Sequence, residues 1–445
     1  MTSSEWLKRD AASVWHPFTQ HSGWLDDEPT VVDRADGPWL FDVDGRRLLD
    51  GVSSLWATTF GHRTPEIDAA IVAQLGRLDH STFLGATHVP GIELAEKLLA
   101  TAPGGGGQAD EGPELSKVFF AGDGSSAVEV ALKMAYQYSA QTGRARPLFV
   151  HLREAYHGDT LGAVSVGGMD LFHQTYRPLL LKTLTASSPG VRAPGQSAGE
   201  RAAEAIDELA SMLAVRGDEV CAIVLEPLVQ AAGGMLTYHV DYLRAARRLA
   251  TQYGILLICD EVATGIGRTG RMWASQHAGI VPDLLTCGKG LTAGYLPLSA
   301  VLTTEAVYEA FLGSPASGRT FFHGHTFTAN PICCAAANAN LDLIASRGLV
   351  AQAAALGERL GTLLSDVEEH PGVVEIRRLG TMTGVEVRPT GERTGAAVCR
   401  AARARGVWLR PLGDTIVLMP PLALAEEETR LLVTTLAEAI DEVVR

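Results

Sequence analysis

Residues 282–300 have the sequence PDLLTCGKGLTAGYLPLSA, in which Lys289 stands between two glycines at the end of an apolar run. The runs on either side of this lysine have the length and composition of buried strands. Lysine usually lies on solvated surfaces, so three hypotheses arise: a phosphate-binding loop, a lysine placed for covalent chemistry, or a surface lysine in a turn. The first fails, because a Walker loop needs a leading glycine and a serine or threonine after the lysine, where this chain has Asp283 and Gly290.

Strand-like and helix-like segments alternate along the chain from about residue 116 onward. The runs VCAIVLEPLV, GILLICDEV and PDLLTCG are short and rich in valine, isoleucine and leucine, and helical patterns such as VDYLRAARRLATQYG separate them. This alternation predicts an α/β fold with a mostly parallel sheet covered by helices on both faces. In such sheets ligands bind beyond the carboxyl ends of the strands.

The pattern changes after about residue 331, which predicts a second, smaller α/β domain. An alanine-rich helical segment leads into another helix and then into VEIRRLGTMTGVEV, which alternates like an antiparallel strand. We predict that residues 1–60 and 335–445 together form the small domain and that residues 61–334 form the large one. The Gly-rich segment 101–114, TAPGGGGQADEGPE, is predicted to be a mobile surface loop.

Composition excludes several classes of partner. The net charge is −14, whereas binding to nucleic acid needs a positive surface. The longest apolar runs have the length of strands, so we expect no membrane span. The N-terminus lacks the basic segment followed by an apolar segment that is typical of a secretion signal, so we expect a cytoplasmic protein. None of the six cysteines shows C-x-x-C spacing, which favours buried thiols in a reducing compartment over a metal site or a disulfide framework.

A second polar residue, Asp260, ends the apolar run GILLICD. Taken singly, such an aspartate is most simply a helix cap or an ion-pair partner, and Lys289 a turn residue. Both residues, however, end neighbouring strand-like runs and could reach one crevice. A protonated pyridine ring would satisfy both groups there, because the carboxylate would keep the ring nitrogen protonated while the lysine bonds to an aldehyde on the ring. Such a ring belongs to pyridoxal phosphate (PLP).

Two further features fit the same cofactor. In AGDGSSAVEVALK, Gly124 and Ser125 stand at the start of a predicted helix, where free backbone N–H groups favour a phosphate, although a serine there also serves as a plain N-cap. In EAYHGDT, Tyr156 follows a strand and precedes a glycine, so its ring could stack on the cofactor or simply pack in the core. Together with Lys289 and Asp260, these residues make a PLP site the favoured hypothesis.

These stretches resemble the class III, fold-type I PLP-dependent aminotransferases over nearly the whole chain. The central similarity is LLICDEVATGIGRTGRMWA followed by PDLLTCGKGL. The resemblance implies a homodimer whose site lies at the subunit interface. It also implies three catalytic residues, namely Lys289, Asp260 and Tyr156. The cofactor-binding set that it implies is Gly124, Ser125, Tyr156, Asp260, Val262, Lys289 and, from the partner subunit, Thr326.

Within this family, WHPFTQ, YHGDTLGAVSVGG, FFHGHTFTANP and VWLRPLGDTIVLMPPL are similar to the members that aminate 8-amino-7-oxononanoate in biotin biosynthesis. The resemblance implies that Arg410 binds the carboxylate of this keto substrate. The wider substrate site that it implies is formed by Phe18, Leu55, Trp56, Tyr156, Gly324, Lys289 and Arg410.

The amino donor stays open between S-adenosylmethionine and L-lysine. Members that use S-adenosylmethionine typically have a tyrosine and a tryptophan where this chain has Phe18 and Leu55. The same two positions leave open a class III aminotransferase for ω-amino acids or diamines. A different PLP reaction on the same fold, such as that of a 1,2-aminomutase, is a further alternative, which would need no separate amino donor. A nucleotide-binding or non-catalytic protein is the alternative from a different functional class.

Overall fold

The computed structural model describes residues 1–104 and 110–444. The predicted surface loop at 101–114 therefore falls partly outside the described residues. Its first residue, Thr101, ends a helix rather than beginning a loop.

A seven-stranded sheet forms the centre of the molecule. Its strands are β4 (Leu115–Ala121), β5 (Leu148–Leu152), β6 (Leu184–Ala186), β7 (Val220–Leu225), β10 (Leu256–Asp260), β11 (Leu284–Cys287) and β12 (Ser299–Thr304). Their order across the sheet is β4-β12-β11-β10-β7-β5-β6, and β12 alone runs against the others. The predicted α/β class with a mostly parallel sheet is confirmed.

Helices surround this sheet and continue into the ends of the chain. Their bounds are α1 (Ser3–Ser13), α2 (Ser53–Trp56), α3 (Pro65–Leu75), α4 (Val89–Thr101), α5 (Gly124–Gln141), α6 (Leu161–Ser165), α7 (Asp170–His173), α8 (Ala198–Arg216), α9 (Val240–Tyr253), α10 (Glu305–Ala310), α11 (Pro331–Ser346), α12 (Leu349–Glu368), α13 (Thr394–Ala404) and α14 (Glu426–Val443). None of these helices combines the length and apolar character needed to cross a membrane.

The two faces of the sheet are buried against different helices. On strand β7, Ile223 packs in a core with Leu209 of α8 and Leu243 of α9, whereas Val224 packs in a core with Ala131 of α5. Successive side chains of a strand point to opposite faces, so a strand covered on both sides must be apolar throughout. This explains why the strands of the sheet appear in the sequence as continuous apolar runs.

Two smaller sheets lie at the ends of the chain. The first, in the order β1-β2-β3-β15, contains β1 (Val32–Asp36), β2 (Trp39–Asp42), β3 (Arg47–Asp50) and β15 (Val407–Trp408). The second, in the order β13-β14-β17-β16, contains β13 (Val373–Leu379), β14 (Met382–Val387), β16 (Arg410–Leu412) and β17 (Thr415–Leu418). A hairpin of β8 (Val229–Gln230) and β9 (Leu236–Thr237) completes the strands of the described residues.

The two ends of the chain meet where β15 pairs in parallel with β3. This pairing supports a unit built from both termini, but the domain bounds stay a prediction. The predicted boundary between residues 334 and 335 falls inside α11, which runs on to Ser346.

The predicted strand VEIRRLGTMTGVEV is two strands. Strands β13 and β14 pair antiparallel, and Leu379 and Met382 are the last partners before the turn. Gly380 takes a φ of +58° in that turn, a conformation that glycine adopts without the steric cost of a side chain. The alternating pattern continues across the turn, which is why the sequence suggested one longer strand.

A glycine at the junction of the two termini offers a test of their packing. A Cβ added at Gly51 would lie 2.8 Å from both Leu409 Cδ2 and Leu432 Cδ1. Gly51→Ala should therefore destabilise the protein by about 1–3 kcal/mol through overpacking, measured as a lower melting temperature in calorimetry. Gly23→Ala is the control, because no atom lies within 4 Å of its added Cβ. Equal melting temperatures for the two variants would contradict the tight packing.

Candidate active site

The carboxyl ends of β10 and β11 bring Asp260 and Lys289 to one cavity. The two strands are parallel neighbours, with Asp260 opposite Thr286, and Lys289 follows just after the end of β11. The cavity has a volume of about 210 Å³. Seven of the residues singled out in the sequence line it: Trp56, Gly124, Ser125, Tyr156, Asp260, Val262 and Lys289.

The other predicted residues lie outside this lining. Gly324 and Thr326 are in an exposed segment. Leu55 is half exposed, because the kink in α2 turns it away from the cavity while the next residue, Trp56, is buried. Phe18 is exposed, and its ring meets that of Phe172 edge-on with the centroids 5.3 Å apart.

Arg410 is half buried and lies close enough to Tyr156 for the tyrosine to affect its pKa. Burial is the larger effect and lowers the pKa of Arg410, while Tyr156 raises it. Within the described part of the chain, the Arg410 side chain has neither a hydrogen bond nor an ion pair. A guanidinium in this condition is free to bind a carboxylate from outside the protein.

Lys289 is half buried, and burial lowers the pKa of its amine, although the negative charges of Asp260 and Glu226 act in the opposite direction. Its Nζ lies 5.5 Å from the centroid of the Trp56 ring. Among the described residues, nothing accepts a hydrogen bond from this amine. A desolvated amine without an acceptor is suited to act as a nucleophile or a base.

Three donors hold the Asp260 carboxylate. Oδ2 accepts a hydrogen bond from Nδ1 of His157 at 2.7 Å, and Oδ1 accepts from Thr286 Oγ1 at 2.8 Å and from the Val262 backbone N–H at 3.1 Å. Burial disfavours the His157 imidazolium, but the hydrogen bond to Asp260 and nearby negative charges outweigh this and raise the pKa of His157. The carboxylate is therefore fixed in orientation by donors on three different segments.

The N-terminus of α5 approaches the same cavity. Asp123 caps the helix by accepting a hydrogen bond from the Ser126 N–H at 2.9 Å. Added Cβ atoms would meet Val262 Cγ1 at 2.8 Å from Gly124 and Ser125 Oγ at 2.0 Å from Gly158, so both positions require glycine. Side chains are thus excluded at two positions beside the start of α5, where the N–H groups of a helix N-terminus suit a phosphate.

The tyrosine is fixed at both ends. Its backbone N–H donates to Oε1 of Glu226 at 3.1 Å, and its hydroxyl donates to Oδ2 of Asp159 at 2.7 Å. Burial and the hydrogen bond to Asp159 both raise the pKa of Tyr156. The Tyr156 side chain is therefore neutral and held in place. Val262 lines the same cavity.

Comparison with known proteins agrees with this arrangement. The sequence model of the aminotransferase class-III family matches residues 23–440. The chain belongs to this family.

A relative in Nitratidesulfovibrio vulgaris named adenosylmethionine-8-amino-7-oxononanoate aminotransferase is 48% identical, over 97% of this chain and 80% of the relative. The crystal structure of an enzyme of the same name from Methanocaldococcus jannaschii is 36% identical, with a TM-score of 0.92 over 99% of this chain and 100% of that one. A PLP-bound amine transaminase from an uncultivated Pseudomonas species is 35% identical, with a TM-score of 0.89 over 97% and 99%. The fold is that of the fold-type I transaminases.

PLP is accordingly the cofactor of this class-III aminotransferase, and the observed residues fit it. The Lys289 amine lacks a hydrogen-bond acceptor in the described structure, the Asp260 carboxylate ends the neighbouring strand, and Gly124 begins helix α5 at the edge of the cavity. These three features match the aldehyde, ring nitrogen and phosphate that the cofactor presents.

Two residues of this aminotransferase site, His157 and Glu226, were not predicted from the sequence. His157 directly follows Tyr156 in the motif YHGDT, and this adjacency to a predicted site residue is the feature of the sequence that could have indicated it. Glu226 ends the apolar run VCAIVLE of β7, in the same way that Asp260 ends the run of β10. Polar residues at the carboxyl ends of adjacent parallel strands are thus the pattern that would have found Glu226.

Glu226 is buried between two backbone donors. Its Oε1 accepts from the Tyr156 N–H, and its Oε2 accepts from the Ala231 N–H at 2.9 Å. Burial raises the pKa of Glu226 from 4.5 to about 7, although His157 and the Ala231 hydrogen bond act against this change. The folded protein consequently binds a proton here that the unfolded chain releases at lower pH.

The raised pKa predicts how stability depends on pH. Because the folded-state pKa lies above the unfolded value, the stabilisation present below pH 4.5 is lost as pH rises through 7, by on the order of 3 kcal/mol. We expect Glu226→Gln to lack this decline, and melting temperatures measured across the interval would show it. In this variant the glutamine NH₂ group would face the Ala231 N–H, and the resulting loss of stability would not change with pH. The quantity to compare is therefore the slope of melting temperature against pH. Exposed Glu392→Gln controls for the loss of one carboxylate, and a variant slope matching wild type would refute the assignment.

Proposed function

We propose that this aminotransferase converts 8-amino-7-oxononanoate into 7,8-diaminononanoate, a step of biotin biosynthesis. The observation that carries the proposal is the 48% identity to a relative of that name over 97% of the chain. The half-buried Arg410 side chain, without an ion-pair partner in the described structure, adds a site for the carboxylate of this keto acid.

In this proposal the cofactor is held by residues of one subunit and by one residue of its partner. Lys289 would bond to its aldehyde, Asp260 would keep its ring nitrogen protonated, and Tyr156 and Val262 would pack against the ring. The N–H groups at Gly124 and Ser125, joined by Thr326 of the partner subunit in a homodimer, bind its phosphate. When bound, PLP supplies an electron-accepting ring that stabilises negative charge on the carbon next to the transferred nitrogen.

Lys289 also moves the proton that amino transfer requires. Its lowered pKa increases the neutral fraction of the amine, which can take a proton from the donor carbon and return it to the acceptor side. The hydrogen bonds from His157 and Thr286 keep Asp260 aligned during this exchange. Tyr156 and Trp56 limit the access of water from their sides of the cavity.

The long apolar chain of the acceptor would lie along aromatic and aliphatic side chains. Trp56 lines the cavity, while Leu55 and Phe18 are exposed in the single chain. Each methylene removed from water contributes about 0.8 kcal/mol, so such a surface favours an elongated substrate. Gly324, next to Thr326 in the exposed segment, would contribute from the partner subunit.

The donor and the location belong to the same proposal. S-adenosylmethionine is the first choice, since the relative's name contains it, and L-lysine is the alternative because of Phe18 and Leu55. We propose that the enzyme is cytoplasmic, because its substrates are small molecules and its six free cysteines are typical of a reducing compartment.

Transamination of other amines is the second candidate. The similarity to the amine transaminase, at 35% identity and a TM-score of 0.89, favours it specifically. The two candidates share the cofactor residues and differ in the substrate, so a substrate assay separates them.

The assay combines PLP-loaded enzyme and 8-amino-7-oxononanoate with S-adenosylmethionine, L-lysine or L-alanine in separate reactions. We expect diamine product, measured by mass spectrometry, with one of the first two donors. Lys289→Ala should abolish turnover and covalent trapping of the cofactor by borohydride while still binding it without a bond. Lys182→Ala, at an exposed position, is the control. Turnover of an aromatic amine with pyruvate and no diamine from any donor would favour the second candidate.

The role of Arg410 has its own test. Arg410→Leu should raise KM for 8-amino-7-oxononanoate by tenfold or more, since a charged hydrogen bond contributes about 1.5–3 kcal/mol. The methyl ester of the same substrate lacks the charge and should show equal KM values with both enzymes. A similar loss for acid and ester would assign Arg410 to packing instead.

A further inference from the structure

The Lys289 backbone adopts a conformation that its own residue type does not favour. Its φ is +39°, at the first position of a single 3-10 turn that spans Lys289–Thr292. Residues other than glycine rarely occupy this region, and they persist there only when the surrounding structure holds them. Something beyond the lysine must therefore fix the turn.

Hydrogen bonds inside the turn close it without attaching it to the rest of the protein. The Leu291 N–H donates to the Gly288 carbonyl at 2.8 Å, and the Ala293 N–H donates to the Gly290 carbonyl at 3.0 Å. These bonds connect only residues of the same short segment, so they leave the position of the segment relative to Asp260 undetermined.

Asn340, on α11, attaches this turn to the rest of the protein by hydrogen bonds. Its side chain is fully buried, and its Nδ2 donates to the Gly290 carbonyl at 2.8 Å and to the Leu291 carbonyl at 2.9 Å. These are the two residues that directly follow Lys289. The Thr59 hydroxyl donates to Oδ1 of Asn340 at 2.9 Å, which orients the amide so that its NH₂ group faces both carbonyls.

We propose that Asn340 is the positioning residue for Lys289, with Thr59 fixing the orientation of its amide. Asn340 touches neither the cavity nor the reacting groups; it acts by holding the carbonyls of the turn that begins at the lysine. The inference rests on the covalent role of Lys289 in the proposed function. It concerns the placement of the amine and is independent of which keto acid is aminated.

A matched control lies two positions earlier on the same helix. Asn338 is also buried and also donates its Nδ2 to a main-chain carbonyl, but that carbonyl belongs to Pro90, in α4. The variants Asn340→Ala and Asn338→Ala therefore remove the same side chain from the same helix, and each removes its donation to a main-chain carbonyl. Only the first releases the turn of Lys289.

The experiment follows the uptake of PLP by apoenzyme through the visible absorbance that accompanies its bond to lysine, together with the pH midpoint of that absorbance. We expect Asn340→Ala to slow covalent uptake about tenfold and to shift the midpoint. Asn338→Ala should match wild type in both measurements even where its melting temperature falls equally. Thr59→Val, which keeps the side-chain shape, should change uptake in the same direction as Asn340→Ala to a smaller degree.

The outcomes separate the two proposals. Wild-type protein that takes up no PLP would overturn the proposed function itself. Wild-type uptake with unchanged uptake and midpoint in Asn340→Ala would overturn only the positioning role. Equal losses in Asn340→Ala and Asn338→Ala would likewise overturn it, because they would show a general effect of destabilising α11. If Asn340→Ala does not fold, Thr59→Val decides, and wild-type behaviour of that variant overturns the role.

Discussion

The parallel pairing of β10 with β11 places Asp260 opposite Thr286, and the other polar groups of the cavity take their positions from that register. The Thr286 hydroxyl and the Val262 N–H hold one carboxylate oxygen, which leaves the other to His157. A slip of one residue would turn Asp260 toward the opposite face of the sheet. Because both strands are apolar and buried on both faces, burial alone does not distinguish the two registers, whereas the polar contacts of Asp260 do.

Burial shifts the pKa values of Lys289 and of two charged groups near it in the direction that favours their neutral forms. It lowers the pKa of Lys289, raises that of Glu226 to about 7 and lowers that of Arg268 to about 9. Arg268 has backbone carbonyls as acceptors, those of Thr58 and Pro420, so its charge is solvated by dipoles. Burial thus increases the neutral fraction of the Lys289 amine, and only the neutral amine can take up a proton.

The sequence patterns predicted which residues would lie together at one cavity wherever this follows from topology. Lys289, Asp260, Gly124, Ser125 and Tyr156 each stand at the end of an apolar run or the start of a helix, and parallel sheets gather such residues at one edge. Val262 and Trp56 line the cavity as well, although only the family resemblance pointed to them.

Contacts between distant segments were beyond the reach of pattern alone. Asn340 and Glu226 are buried polar residues whose partners lie far away in the chain, and one sequence does not show which buried groups face each other. For the same reason the hairpin of β13 and β14 was expected as one strand, since its alternation continues through Gly380. Phe18, Leu55 and Arg410 depend on the resemblance for their proposed roles, because exposed apolar side chains and half-buried arginines are common at positions that bind no substrate.

The pairing of β15 with β3 has a bearing on how the protein is made. The Ser53 hydroxyl, near the start of the chain, donates to the Met419 carbonyl, 366 positions later, and the Met419 N–H donates to the Gly51 carbonyl. On the ribosome, the central sheet with Asp260 and Lys289 can form before residue 407 has been synthesised. The segment that carries Trp56 can make its contacts with residues 407–419 only after those residues have been synthesised. The wall of the cavity that carries Trp56 therefore depends on contacts between two segments that are synthesised at opposite ends of translation.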